Sequence, residues 1–320
     1  MKKKERLVFY YDLSISANSR NFPAPKPIPV RKAFELMQHV PLKQRTKEFS
    51  KGHELLYVSD WEWIDNTISI LINKSDKGMS DPVFTIPKEN KRRTAEKLEE
   101  EGQDFSVHMV IQLPDDDLNP ALIIIEHCAG LGVSTIKKLL NQLLSEAKRI
   151  SPDDFEQVHP DGSVDNNGQQ KKYIVIFKCE LDGHISNDFK HDLDHGKVHS
   201  IELITDKEQY THFDEDGYIK EKCKTLVLTL KNNEQSVTNK FDRIVSVFKK
   251  QKDNYSNAKI KFKTPTGIDR TVEMNTAEGL AQAYVKKGKL EEFEFDLKSS
   301  YDKFSKPILT KMKELLLQGT

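Results

Sequence analysis

Residues 121–150 read ALIIIEHCAGLGVSTIKKLLNQLLSEAKRI. The opening run, 121–126, is branched and apolar and reads as a buried strand. A tight turn follows at Gly130, Leu131 and Gly132. The apolar spacing then lengthens to that of a helix. Val133, Ile136, Leu139, Leu140, Leu143, Leu144, Ala147 and Ile150 fall on one stripe, with Ser134 as the expected N-cap. A strand that hands over to one long amphipathic helix, in a chain of otherwise short strands, predicts an α+β fold.

Working outward toward lower numbers, 6–13, 55–58, 67–73 and 105–113 read as strands. Residues 30–40 read as a short helix with Ala33, Phe34 and Met37 on one side. Four prolines in 21–29 make an extended connector. Trp61 and Trp63, two apart between strands, read as core or interface. Residues 88–101 read as a charged segment, helix-permissive or flexible. A turn with three aspartates occupies 114–120.

Toward higher numbers, 151–170 is rich in Asp, Asn, Gly and Pro and reads as a loop. Residues 173–181, 201–205 and 225–230 read as strands, with a turn near Asp216 and Gly217. Val237, Phe241, Ile244, Val245 and Phe248 mark a second amphipathic helix. Residues 258–263 and 270–274 form a hairpin around Pro265, Thr266 and Gly267. The final helix, 301–317, carries Phe304, Ile308, Leu309, Met312, Leu315 and Leu316 on one face. Pro307 either kinks it or marks its start near Ser305. The predicted organisation is a β-rich domain over 1–150 closed by its helix, a linker over 151–170, and an α+β domain over 171–320 with a basic hairpin and a final helix.

The chain has 320 residues, 31% of them charged, and a formal net charge of zero. Neutrality argues against a simple nucleic-acid-binding protein, but the charges are uneven. Residues 1–51 carry +8 and 222–313 carry +9, so the rest carries −17, nearly all of it in 52–221. Two basic regions around an acidic middle can present a local positive field. Cys128, Cys179 and Cys223 are scattered singly, which suits a reducing compartment and points to the cytoplasm. The basic start is followed by an apolar run, 7–11, too short for a signal core. No stretch approaches the roughly 20 apolar residues of a membrane span, so no membrane insertion is expected.

Four constellations could carry chemistry. His184, Asp188, His191, Asp192, Asp194, His195 and His199 are residue types that ligate divalent metals. His191 and His195 are four apart, but HDLDH is not HExxH, and the plain alternative is a solvated loop or short helix. We expect no tight metal and no cofactor here. The turn 130–135 opens a helix and could hold a phosphate, yet it matches neither GxxxxGK[ST] nor GxGxxG. Cys128 reads as a small packing residue. The fourth is the basic hairpin. Lys259, Lys261 and Lys263 alternate with Ile260 and Phe262, so three ammonium groups share one strand face. Arg270 lies across the turn, and Lys286, Lys287 and Lys289 follow. Such a row can hold phosphates without reading bases. Its plain alternative is an edge strand guarded by lysines.

The order of elements resembles a known family. ALIIIEHCAGLGVSTIKKLLNQLL, then YIVIFKCELDG, then AKIKFKTPTG, TVEMNTAEGLAQAYVKKGKLEEFEF and YDKFSKPILTKMKELLL are similar in layout to the RexA-like phage-exclusion proteins. The DNA-binding subunit of the Kiwa defence system is similar in layout too. The resemblance covers roughly residues 50–317 and transfers no individual residue. It implies a homodimer that binds duplex DNA without sequence preference and acts in phage exclusion, abortive infection or other antiviral defence. The alternatives are a metal-dependent nuclease or hydrolase using 184–199, and an interaction module that binds a partner protein encoded nearby.

Overall fold

A computed structural model describes residues 2–20, 24–116, 120–164, 166–205, 224–230, 239–251, 253–275 and 285–319. The strands are β1 (Arg6–Asn18), β2 (Thr46–Phe49), β3 (Glu54–Ile64), β4 (Thr67–Asp76), β5 (Val83–Ile86), β6 (Lys91–Thr94), β7 (Gln103–Gln112) and β8 (Ala121–Glu126), then β9 (Glu156–Val158), β10 (Lys172–Ile174), β11 (Ile176–Gly183), β12 (Lys197–Thr205), β13 (Lys224–Leu228), β14 (Asn257–Lys263), β15 (Asp269–Asn275) and β16 (Lys287–Leu290). The helices are α1 (Val30–Gln38), α2 (Val133–Ile150), α3 (Asn187–His195), α4 (Lys240–Gln251) and α5 (Lys306–Gly319). The fold is α+β. Among the described residues, no helix is long and apolar enough to cross a membrane. The predicted turn at Asp216 and Gly217, Val237 and Cys223 lie outside the described residues.

The chain forms two compact units. The first comprises 1–181 and 288–320; the second comprises 182–287. The division falls at 181/182 and 287/288, not in 151–170. Phe155 in the expected linker is buried and lies 5.4 Å from the Phe177 ring, so that segment is fastened to the first unit. The final helix also returns to the first unit.

The first unit is built on a sheet ordered β11-β1-β8-β7-β4-β3-β2, with β16 also pairing with β1. Strand alternation sends its side chains to two different cores. Ile68, Ile70 and Ile72 of β4, Val107, Met109 and Ile111 of β7, and Ile123 and Ile125 of β8 pack with α1 and α2. Val110, Ile124, Val8 and Tyr10 face the other way, into a core shared with Leu290, Phe293, Ile308, Leu309 and Met312. Burial on both faces explains why these strands read as continuous apolar runs. The N-cap of α2 is Gly132 rather than Ser134, and no side chain caps it. Pro307 sits in the first turn of α5, where a proline costs no hydrogen bond, and Leu309 N–H donates to Ser305 O at 3.0 Å.

The second core covers a buried polar cluster. Arg6 Nε donates to Glu126 Oε1 at 2.7 Å, and Arg6 Nη2 donates to Lys298 O at 2.7 Å. His108 Nδ1 lies 2.7 Å from Glu126 Oε2, and His108 Nε2 accepts from Ser305 N–H at 3.0 Å. Because Nε2 accepts, the proton sits on Nδ1 and is donated to Glu126. Asn73 Nδ2 donates to Asp104 Oδ2 and to Tyr301 O, each at 2.9 Å. These groups fasten residues 298–305 to the sheet and so dock α5.

The second unit is a sheet ordered β13-β12-β14-β15. Ala258, Ile260, Phe262, Val198, Ile201, Leu203 and Val272 form its apolar face, packed with Phe189 and Leu193 of α3 and Phe241, Ile244 and Phe248 of α4. Gly196 joins α3 to β12 at a point where a Cβ would lie 2.3 Å from both Asp192 O and Lys263 O. No larger residue fits there.

Candidate nucleic-acid interface

The parity of β14 puts Lys259, Lys261 and Lys263 on the side of the sheet opposite its buried face. Successive lysines on that face are spaced by about 6.8 Å, twice the rise of an antiparallel strand. The edge-strand alternative does not hold, because β14 is hydrogen-bonded to β12 on one side and β15 on the other. The lysines are therefore part of a rigid interior strand.

Neighbouring strands bring carboxylates to the same face. Lys261 Nζ lies 2.6 Å from Glu202 Oε1, and Lys259 Nζ lies 2.5 Å from Glu273 Oε1. The hydrogen bond from Lys261 holds the Glu202 carboxyl below its ordinary value, and the bond that Lys259 donates to Glu273 raises the Lys259 ammonium. Lys263 stands opposite Lys197 on β12 and Asp269 on β15. The Asp269 carboxylate is 3.4 Å from His199 Nε2, and His199 sits at the bulge of β12. Lys197 joins the face as a fourth cation that the hairpin pattern did not reveal, since it comes from a strand about 60 residues earlier.

The other expected members disperse. Arg270 pairs with Phe262 in the register, so it projects from the opposite face to the lysines, 4.0 Å from Asp192. Lys289 belongs to β16 of the first unit and is paired with Glu5 at 3.0 Å. Lys286 and Lys287 close the second unit, where Lys286 N–H donates to His184 O at 2.8 Å. Residue spacing alone had gathered them with the lysine row; the register and the chain's return to the first unit separate them from it.

The His/Asp cluster resolves into local structural contacts. Ser186 caps α3 by accepting from Phe189 N–H. Asp194 Oδ1 accepts from Phe241 N–H at 2.9 Å, in the first turn of α4. His191 and His195 stack at 4.3 Å on the exposed side, and His195 Nδ1 donates to His191 O at 3.1 Å. Among the described residues, no group of three His, Cys, Asp or Glu is placed to hold a metal ion. Cys128 is buried in the first core, and burial raises its thiol. The turn at 130–132 carries close packing, since a Cβ on Gly130 would meet the Phe105 ring at 3.0 Å. Trp61 lies within β3, 5.8 Å from Phe34 and beneath the Arg45 guanidinium at 4.7 Å.

Among the strands that the sequence did not announce, two form a unit of their own. Residues 83–94, of which 88–94 lie within the charged segment, form a separate two-stranded ribbon of β5 and β6 whose residues are all exposed. Its only sequence signal is the run VFTI, short and followed by Pro87.

Comparison with known proteins returns no match to any family model, curated protein or solved structure.

Proposed function

We propose that this protein binds duplex DNA without sequence preference, as a non-enzymatic, dimeric component of phage exclusion or antiphage defence. The observation that carries the binding part is the row of Lys259, Lys261 and Lys263 on one side of an interior strand, with Ala258, Ile260 and Phe262 buried on the other. An interior strand holds its cations at fixed spacing, so phosphates are met without reordering the backbone. Contacts of this kind carry affinity and little sequence information. The face sets four cations against Glu202, Asp269 and Glu273, so the binding is weak and steeply salt-dependent. The role in defence and the dimer rest on the resemblance to RexA-like proteins. Ile308, Leu309, Met312 and Leu316 of α5 are buried within the first unit, so they are not offered to a second copy.

The test is a duplex titration of the wild type and of Lys259→Glu/Lys261→Glu/Lys263→Glu at two salt concentrations. We expect the variant to fold and to lose affinity equally on unrelated sequences, with a shallower salt dependence. Equal binding by the two proteins removes the lysine face from the interface. A wild type that binds no duplex at low salt leaves the partner-protein module in its place.

A further inference from the structure

The β5–β6 ribbon is an element that its own unit does not cover. Val83 is 60% exposed, Phe84 54% and Ile86 51%. A two-stranded hairpin with both faces in water is marginally stable by itself. Yet this one is anchored at its base: Ala95 N–H donates to Pro82 O at 2.9 Å, and Lys97 N–H donates to Asp81 Oδ1 at 3.3 Å. The turn at its tip passes through Asn90 with φ +49°.

Its charge is concentrated and two-sided. Residues 83–94 hold Lys88, Lys91, Arg92 and Arg93 against Glu89 alone. The register pairs Phe84 with Arg93, Thr85 with Arg92 and Ile86 with Lys91. One face of the ribbon therefore carries Phe84, Ile86, Lys91 and Arg93, and the other carries Val83, Thr85 and Arg92. Arg93 lies over the Phe84 ring at 4.9 Å, and Lys91 is 2.8 Å from Glu89. Glu96, Glu99, Glu100 and Glu101 follow the ribbon in sequence, so a polyanion is accepted along the ribbon and repelled beyond it.

We infer that this ribbon is a groove-entering arm for duplex nucleic acid, an inference that rests on the duplex-binding function proposed above. A protein surface docking on the ribbon calls for one specialised face. A nucleic-acid groove has a phosphate backbone along each wall, and this ribbon presents guanidinium groups to both sides. Strands separated by about 4.8 Å make a ribbon that fits a major groove about 12 Å wide. Guanidinium groups suit phosphate oxygens, which they can engage through two hydrogen bonds at once.

The bond between Ala95 and Pro82 makes the arm removable, because Asn-Gly in place of 83–94 closes the gap as a two-residue turn. The full chain carrying that replacement is compared with the wild type and with Arg92→Glu/Arg93→Glu, using a mixed-sequence duplex and fluorescence anisotropy. We expect an unchanged unfolding midpoint. We also expect at least a tenfold loss of affinity for both variants, and for the armless chain a salt slope shallower by about 0.9 for each phosphate contact removed. Equal binding by the wild type and the armless chain overturns the arm and leaves duplex binding standing. A change in oligomeric state with unaltered duplex affinity also overturns it, by assigning the ribbon to a protein contact. If the wild type itself binds no duplex at low salt, the arm and the function fall together.

Discussion

Two sheets in this protein set cations beside carboxylates, with opposite results. In the first unit Arg6 and Glu126 are almost wholly buried, 2% and 1% exposed in their side chains. Glu126 spends both oxygens on Arg6 and His108, and His108 uses its other nitrogen on Ser305. No member can leave without exposing a bare charge or an unmet donor to an apolar core. On β14 the Lys261 side chain is 47% exposed, and water can replace Glu202 at little cost. The buried cluster fixes where a segment docks, whereas the exposed pairs are exchangeable and can be given up to a phosphate. Burial, more than residue type, separates a structural ion pair from a binding surface.

The contrast can be broken at its buried end. Glu126→Ala strands the Arg6 guanidinium and the His108 N–H, and we expect a loss of about 3–5 kcal/mol, the usual cost of orphaning a buried charge. Urea unfolding of the wild type and variant measures it. A loss below about 1 kcal/mol, the range of exposed pairs, would erase the distinction.

A second effect, confined to alkaline pH, concerns protons. Cys179 is fully buried, and burial, with the charge of Glu180 adding to it, pushes its thiol up to about 12. The unfolded chain releases that proton near its ordinary value of 9.0. Between those values the native state holds more protons than the unfolded state, so stability falls as pH rises, by up to about 1.4 kcal/mol per pH unit. Below pH 9 this contribution is complete and constant. Cys179→Ala lowers stability below pH 9 and should flatten the alkaline slope, so the two curves converge as pH rises. Parallel slopes for the two proteins would show that the thiol does not carry it.

The smallest effect sharpens the exposed end. Glu202→Gln with Glu273→Gln removes two competing carboxylates from the lysine face and leaves the strands intact. We expect duplex affinity to rise several-fold and the salt slope to steepen, with little change in unfolding midpoint. A fall in affinity would mean that the carboxylates hold the lysines in place instead of competing for them.

Much of this was legible in sequence because it is periodic. The 3.6-residue stripe of α2 and the alternation of β14 are local patterns, and both appear as read. The buried cluster was not, since Arg6 and Glu126 are 120 residues apart and nothing local marks either as inward-facing. β3 was read as a short strand because its bulge between Val58 and Asp60 shifts the alternation, leaving Trp61 and Trp63 outside the pattern. The ribbon escaped because Lys and Arg are poor strand formers and KENKRRT has no apolar rhythm. The lysine face was half legible: parity gave the three lysines and the hairpin gave β15 with Glu273, but Glu202 comes from β12, whose pairing with β14 the sequence does not announce.

The break in the first unit, between Leu181 and Gly288, has a consequence for synthesis. Its sheet contains β16, and one of its two cores contains α5, both encoded after the whole second unit. At translation rates of about 5–20 residues per second, the nascent first unit waits on the order of ten seconds with one sheet face uncovered. In that interval Val8, Tyr10, Val110 and Ile124 have no lid, Arg6 lacks its bond to Lys298 O, and His108 lacks its bond from Ser305 N–H. The period of greatest exposure to chaperones and aggregation therefore falls late on the ribosome and ends when 288–319 emerges. The second unit, whose described core is contiguous in sequence, has no such wait.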